Sequence, residues 1–177
     1  APVGRRAAVA VGRLVPVKGF GLLVRAWEKV AAVHPDWKLE IWGDGPERGS
    51  LERLVRGKGL EKNVLLRGAT GEVQEKLLQS SMLVFPSLFE GFGMVLVEAM
   101  ACGVPCVAFD CPCGPGDIIR HGEDGLLARP GKVAELASAL ELLMGNEKLR
   151  ASMAAKAREN VKRYAAETVA AQWDGLF

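Results

Sequence analysis

Histidine and tyrosine are scarce: two His and one Tyr among 177 residues. The histidines are isolated, His34 in AVHPDW before a proline and His121 in the turn HGEDG. Neither belongs to a His-x-x-Glu-His pair, and there is no Gly-x-Ser-x-Gly elbow and no acidic metal cluster. A hydrolase with its own activated nucleophile therefore has no support, and both histidines read as surface or capping residues. Aromatic residues make up only 6% of the chain. They do not alternate with basic residues, so the stacking platforms of a single-strand nucleic-acid binder are missing. Charge is not concentrated either. Twenty-three Lys and Arg face 21 Asp and Glu, interspersed, for a net charge of +2. There is no basic arm and no acidic tail, so no nucleic-acid partner is expected. No apolar run approaches the about 18 residues that span a bilayer.

Cysteine is confined to Cys102, Cys106, Cys111 and Cys113. Structural zinc sites use two Cys-x2-4-Cys knuckles or a Cys/His mixture, and here no histidine is near. The reading preferred over zinc is two small buried residues and two loop thiols, in a reducing compartment. The opening APVGRRAAVAVG lacks the apolar core of a signal peptide. It also lacks an initial Met, so a segment excised from a longer chain is expected.

What is present is a regular α/β rhythm. Apolar content is 49% and charged content 25%, as in a soluble globular domain. AAVAVG, KLEIWG, NVLLRG, MLVFPS, VPCVAFD and GLLARP are short apolar runs closed by turn residues, and they read as six strands. Between them lie segments of helical period: 20–31, about 47–57, GEVQEKLLQSS behind a capping Thr70, and MVLVEAMACG. From about 132 to 172 the chain reads as wholly helical, broken near Gly145-Asn146 and near Tyr164. Alternating strands and helices predict a doubly wound, Rossmann-like α/β domain of about six parallel strands with helices on both faces. One domain over 1–177 is expected, with no internal repeat.

In such sheets ligands bind beyond the carboxyl ends of the strands. After the first strand comes GRLVPVKG, offering Gly12, Arg13 and Lys18 before a helix start. It is neither a Walker loop nor a G-x-G-x-x-G fingerprint. Arg and Lys there suit a phosphate, although solvated loop charges have the same appearance. After the fourth strand comes LFEGFGMVLVEA, with Glu90 and Glu98 flanking Gly91 and Gly93. On one unbroken helix these acids would sit about 80° apart. The glycines instead predict a helix starting near Phe92 or Gly93, with Glu90 in the loop and Glu98 inside the helix. Free amides of Phe92, Gly93, Met94 and Val95 then form an anion site between two acids. The plainer alternative is Glu90 on the helix dipole and Glu98 paired with a base. Arg67, after the third strand, could border a base or be a solvated charge. In CPCGPGD, Asp117 caps a short IIR turn or belongs to a loop that closes over a ligand.

GRLVPVKG, LEIWGDGPE, LFEGFGMVLVEAMACGVPCVAFD and GPGDIIRHGEDGLL together resemble the C-terminal, donor-binding domain of retaining glycosyltransferases of family 4, enzymes of two Rossmann-like domains in the GT-B arrangement. The likeness runs from about residue 8 to residue 173, and the Glu-x7-Glu spacing is its most specific part. It implies that Arg13 and Lys18 hold the donor diphosphate and that Glu90 contacts the transferred sugar. It further implies that Gly12 and the 92–95 amides face sugar or phosphates, that Glu98 binds the ribose, and that Arg67 borders the base. The family needs no metal or other cofactor in this role. The implied partners are a nucleotide-sugar donor (UDP first, then GDP or ADP), the N-terminal acceptor domain absent here, and a glycan or lipid-linked acceptor. A cytoplasmic protein follows, peripheral to the inner membrane face as a whole enzyme. A full enzyme of this kind has two ordinary domains, and AAQWDGLF resembles the segment before the crossover between them. Asp117 stands where the family often carries Glu, one carbon longer. An epimerase or phosphorylase of the same architecture, or a non-catalytic nucleotide module, are the rival readings.

Overall fold

A computed structural model of the chain describes residues 5–174. The APVG start and the GLF end lie outside the described residues. Six strands, β1 (Ala7–Val11), β2 (Lys38–Trp42), β3 (Val64–Gly68), β4 (Met82–Phe85), β5 (Cys106–Phe109) and β6 (Gly125–Ala128), form one sheet in the order β3-β2-β1-β4-β5-β6. Every pairing is parallel. The strands are short apolar runs because helices cover both faces of the sheet.

Alternation along each strand sorts the core into two halves. Ala8, Ala10, Leu39, Ile41, Val84 and Val107 pack against α1 (Phe20–Ala31), α2 (Arg48–Gly57) and α6 (Val133–Gly145). Val9, Leu83, Phe85, Cys106 and Ala108 pack against α3 (Val73–Leu78), α4 (Met94–Ala101), α5 (Pro115–Ile118) and the end of α7 (Glu147–Asn160). Phe20 and Leu23 are completely covered in α1, and each stabilises that packing by about 1.5–3 kcal/mol. A 3-10 turn, Val161–Tyr164, then leads into α8 (Ala166–Asp174). No helix among the described residues is long and apolar enough to cross a membrane.

From β1 the sheet grows one way to β2 and β3, then the chain returns to place β4 on the other side of β1. The reversal opens a crevice between the carboxyl ends of β1 and β4.

Three local expectations are corrected. Helix α3 spans only Val73–Leu78. Thr70 Oγ1 accepts from Glu72 N at 3.0 Å and so caps the turn ahead of it. At its other end Ser80 Oγ bonds Lys76 O, and Ser81 N is taken by Ala7 O of β1. Helix α5 begins at Pro115, earlier than the IIR turn, because proline at the first position is preset for a helix. Asp117 is its third residue and not its cap. Strand β5 begins at Cys106, because Gly103 and Val104 donate back to Met100 O and Ala99 O to close α4.

Candidate functional site

The loop after β1 turns through a 3-10 segment, Pro16–Lys18, into Gly19 at φ 67°. A Cβ on Gly19 would lie 2.1 Å from Pro86 O, so only glycine lets this loop touch the one after β4. Leu88 N donates to Val17 O at 2.8 Å and completes the clasp. The result is an ion pair, Lys18 Nζ to Glu90 Oε1 at 2.5 Å, with both side chains largely sheltered from solvent.

Beyond Glu90 the chain reaches Gly93, left-handed at φ 99°, and enters α4 at Met94. No side chain caps this end. Leu96 N closes onto Gly93 O at 2.9 Å, whereas a helix offers no internal acceptor to the amides of Met94 and Val95. Leu96, Ala99 and Met100 of α4 are buried, and Glu98 stays exposed. Gly12, Lys18, Glu90, residues 92–95 and Glu98 all line one cavity of about 600 Å³, with Val11, Val73 and Phe85 as its apolar wall. A lysine ammonium and a helix N-terminus attract an anion. Two carboxylates beside them accept hydroxyl hydrogen bonds.

Two expected residues are not in this cavity. Arg13 is exposed on the same loop as Lys18, and among the described residues its side chain makes no ion pair. Arg67 bonds Glu40 Oε1 of β2 through Nη2 at 2.7 Å. It lines a separate cavity beside Glu52 and Arg56. The β2–β3 register shifts between Ile41 and Trp42, next to Arg67.

The structure adds residues that sequence reasoning missed. An adjoining cavity of about 660 Å³ shares Val73 and Glu98 with the first and is also lined by Gly71, Gln74, Cys102 and Arg158. The strand-end rule points to Gly71, Val73 and Gln74, which follow β3. No local motif points to Arg158, 60 residues from Glu98 in the chain. Cys111 is a thiol of the loop after β5, as expected, and it is also buried. Its burial pushes its pKa up, and the nearby Glu90 carboxylate adds to the rise. Cys102 and Cys106 are also buried, and Cys113 is exposed. The loop after β5 presses onto the loop after β4, since a Cβ on Gly114 would lie 1.8 Å from Phe92 O. Among the described residues no three His, Cys, Asp or Glu side chains are grouped so as to hold a metal ion.

A doubly wound parallel sheet with a helix N-terminus at its switch point defines a Rossmann-like α/β domain. The chain belongs to the family described as glycosyl transferases group 1, whose sequence profile matches residues 1–160. It is 45% identical over 93% of its length to an exopolysaccharide phosphotransferase of Streptomyces coelicolor, of which it spans 18%. It is 33% identical over 94% of its length to a poly(ribitol-phosphate) alpha-N-acetylglucosaminyltransferase of Staphylococcus aureus, of which it spans 34%. A crystal structure of a mutant of S. aureus TarM, in complex with fondaparinux, alpha-GlcNAc-glycerol and UDP, superposes on 97% of this chain with a TM-score of 0.91 and 32% identity. This chain covers 35% of that structure. The chain thus spans well under half the length of these relatives.

Proposed function

We propose that the chain is the C-terminal, donor-binding domain of a retaining glycosyltransferase of family 4 with the GT-B arrangement. The observation that carries this reading is that Lys18, the 92–95 amides, Glu90 and Glu98 line a single cavity at the switch point. In this reading Lys18 and the α4 N-terminus hold the donor diphosphate, and Arg13 closes onto it from its exposed position. Glu90 accepts from hydroxyls of the sugar and Glu98 from those of the ribose. When the sugar C1–O bond to the diphosphate breaks, charge develops on the leaving oxygen. Lys18, Arg13 and the helix amides stabilise that charge without a metal ion. The acceptor hydroxyl forms the new bond to C1 on the same face, and its proton passes to the departing phosphate.

The base then extends past Glu98 into the adjoining cavity of Gly71, Val73 and Gln74, rather than toward Arg67. UDP is the first choice, supported by the UDP in the TarM complex; GDP and ADP follow. The whole enzyme transfers a hexose to a glycan or lipid-linked acceptor held by an N-terminal domain. It works at the cytoplasmic membrane face in polysaccharide biosynthesis. Titration calorimetry with UDP, GDP, ADP and UDP-hexoses tests the reading. Saturable binding of one nucleotide below millimolar concentration is expected, and no heat with any of them at millimolar concentration would defeat it.

One observation favours a second reading. The relative with 45% identity carries the name of a phosphotransferase, and this chain spans only 18% of it. The domain could thus serve as a nucleotide-sugar module within a larger polymer-assembly protein. Sugar transfer by the whole protein separates the two readings.

A further inference from the structure

Phe92 belongs to the cavity through its place between Gly91 and Gly93, and its ring packs edge-to-face on Tyr164, with centroids 5.7 Å apart and planes at 81°. Tyr164 is the sole tyrosine of the chain. It ends the 3-10 turn that follows α7, and it is held in place from several directions. Its hydroxyl donates to Asp117 O at 3.0 Å. The guanidinium of Arg163 lies 4.7 Å from its ring centroid. Arg163 in turn donates to Asn160 O at 3.0 Å and to Ile118 O at 2.5 Å. Tyr164 is thus tied to the last carbonyls of α5, whose preceding Gly114 meets Phe92 O from the other loop.

The segment it touches is held at Glu90 by the ion pair with Lys18 and at Phe92 O by the approach of Gly114, but the Phe92 ring is placed by Tyr164. A Cβ on Gly91 would meet nothing within 4 Å, and Gly93 is in the left-handed region. Two glycines around Phe92 give the loop many conformations unless a neighbour restricts it. By contrast, Lys18 follows the loop fixed on Pro86, and Glu98 stands on a packed helix.

We infer that Tyr164 is a positioning residue, holding residues 90–95 in the donor-competent arrangement through its ring contact with Phe92. It thereby sets how strongly the sugar of the donor is bound, relative to its nucleotide. The inference rests on the donor-binding reading above. In that reading Glu90 and the loop amides of Phe92 and Gly93 face the sugar, whereas Lys18, the Met94 and Val95 amides at the α4 N-terminus and Glu98 grip diphosphate and ribose.

The test compares UDP with UDP-glucose and UDP-N-acetylglucosamine by calorimetry on the full chain and on Tyr164→Leu and Tyr164→Phe. Tyr164→Leu is expected to lower affinity for the better sugar nucleotide about threefold to tenfold, with UDP changed less than about twofold. Tyr164→Phe keeps the ring and should restore the wild-type ratio. Equal losses for UDP and sugar nucleotide, or an unchanged ratio, would overturn the inference. Amide hydrogen exchange on the unliganded chain is independent of any donor. Exchange at Leu96, whose amide closes onto Gly93 O, should quicken in Tyr164→Leu while β1 and β4 keep their protection. Unchanged exchange there overturns the positioning role by itself, whereas absence of nucleotide binding by the wild type defeats the donor reading. Phe92→Leu should mimic Tyr164→Leu, and the double variant should add nothing further. Additive effects would show that the two rings act separately and would overturn the coupling between them.

Discussion

Lys18 Nζ stands 2.5 Å from Glu90 Oε1, one residue following β1 and the other following β4. The pair bridges the switch point, so in the donor-binding reading an incoming diphosphate meets a lysine already partnered by a carboxylate. An ammonium has three donors and can serve both, but Glu90 repels the phosphates. Two opposite outcomes follow. Lys18→Met should weaken UDP binding about tenfold to hundredfold, the equivalent of a charged contact of about 1.5–3 kcal/mol. Glu90→Gln should leave UDP binding equal or tighter while lowering the advantage of a sugar nucleotide over UDP. Calorimetry on both variants checks this, and a loss of UDP affinity in Glu90→Gln as large as in Lys18→Met would refute it.

The clasp that forms the pair depends on Gly19. Alanine there must hold a left-handed conformation, at about 1–2 kcal/mol. Its Cβ must also displace Pro86 O from 2.1 Å. A total of at least about 2 kcal/mol lowers the melting temperature of a domain this size by about 4–8 °C or more. Gly91→Ala is the matched control, since its Cβ would meet nothing within 4 Å. It should melt within about 2 °C of the wild type, on the size of ordinary surface changes. Scanning calorimetry of both variants decides; equal melting shifts would sink the argument.

The cavity was legible in the sequence where local rules fix it. Strand ends are marked by apolar runs stopping at Gly12 and Pro86, and Gly91 and Gly93 place Glu90 outside a helix and Glu98 inside it. Those features need no knowledge of distant contacts. The rest depends on pairing across the fold. Arg67 goes to Glu40 because the parallel register sets Glu40 beside Leu65, two residues before Arg67 on the same face of the sheet. Helix α3 ends early because Ser81 N is claimed by Ala7 O of β1. Cys111 is buried because the loop after β5 is pressed onto the loop after β4. Tyr164 finds Phe92 only once α7 has crossed the domain. None of these partners lies close enough in sequence to leave a periodic trace.

Burial, with the charge of Asp124 adding to it, raises the pKa of the Cys106 thiol. Cys102 and Cys111 shift the same way, burial being the larger cause in each. The folded protein therefore keeps these protons where the unfolded chain, titrating near about 8.5, has released them. The unfolded state binds fewer protons above that pH, so stability is full below it and falls as pH rises toward the folded values. Each retained proton contributes a slope of about 1.4 kcal/mol per pH unit. Melting temperature should decline from about pH 8.5 to about pH 10, and Cys106→Ala should decline less steeply. Parallel profiles for the two proteins would contradict this assignment.

Glu98 and Arg67 separate two paths for the nucleoside. Glu98 lines both the cavity of Lys18 and the adjoining one of Val73 and Gln74. Arg67 is engaged by Glu40 and faces a third cavity, against α2. A ribose held at Glu98 places the base beside Gln74, with no reason for Arg67 to be involved. Glu98→Ala should then weaken UDP binding about tenfold, as loss of a charge-assisted hydrogen bond does. Arg67→Ala should change it less than about twofold, its exposed pair with Glu40 being worth about 0–1 kcal/mol of stability. Calorimetric titration of UDP into both variants measures the contrast. A large loss in Arg67→Ala with Glu98→Ala unaffected would send the base to the β3 edge and reverse the direction proposed for the donor.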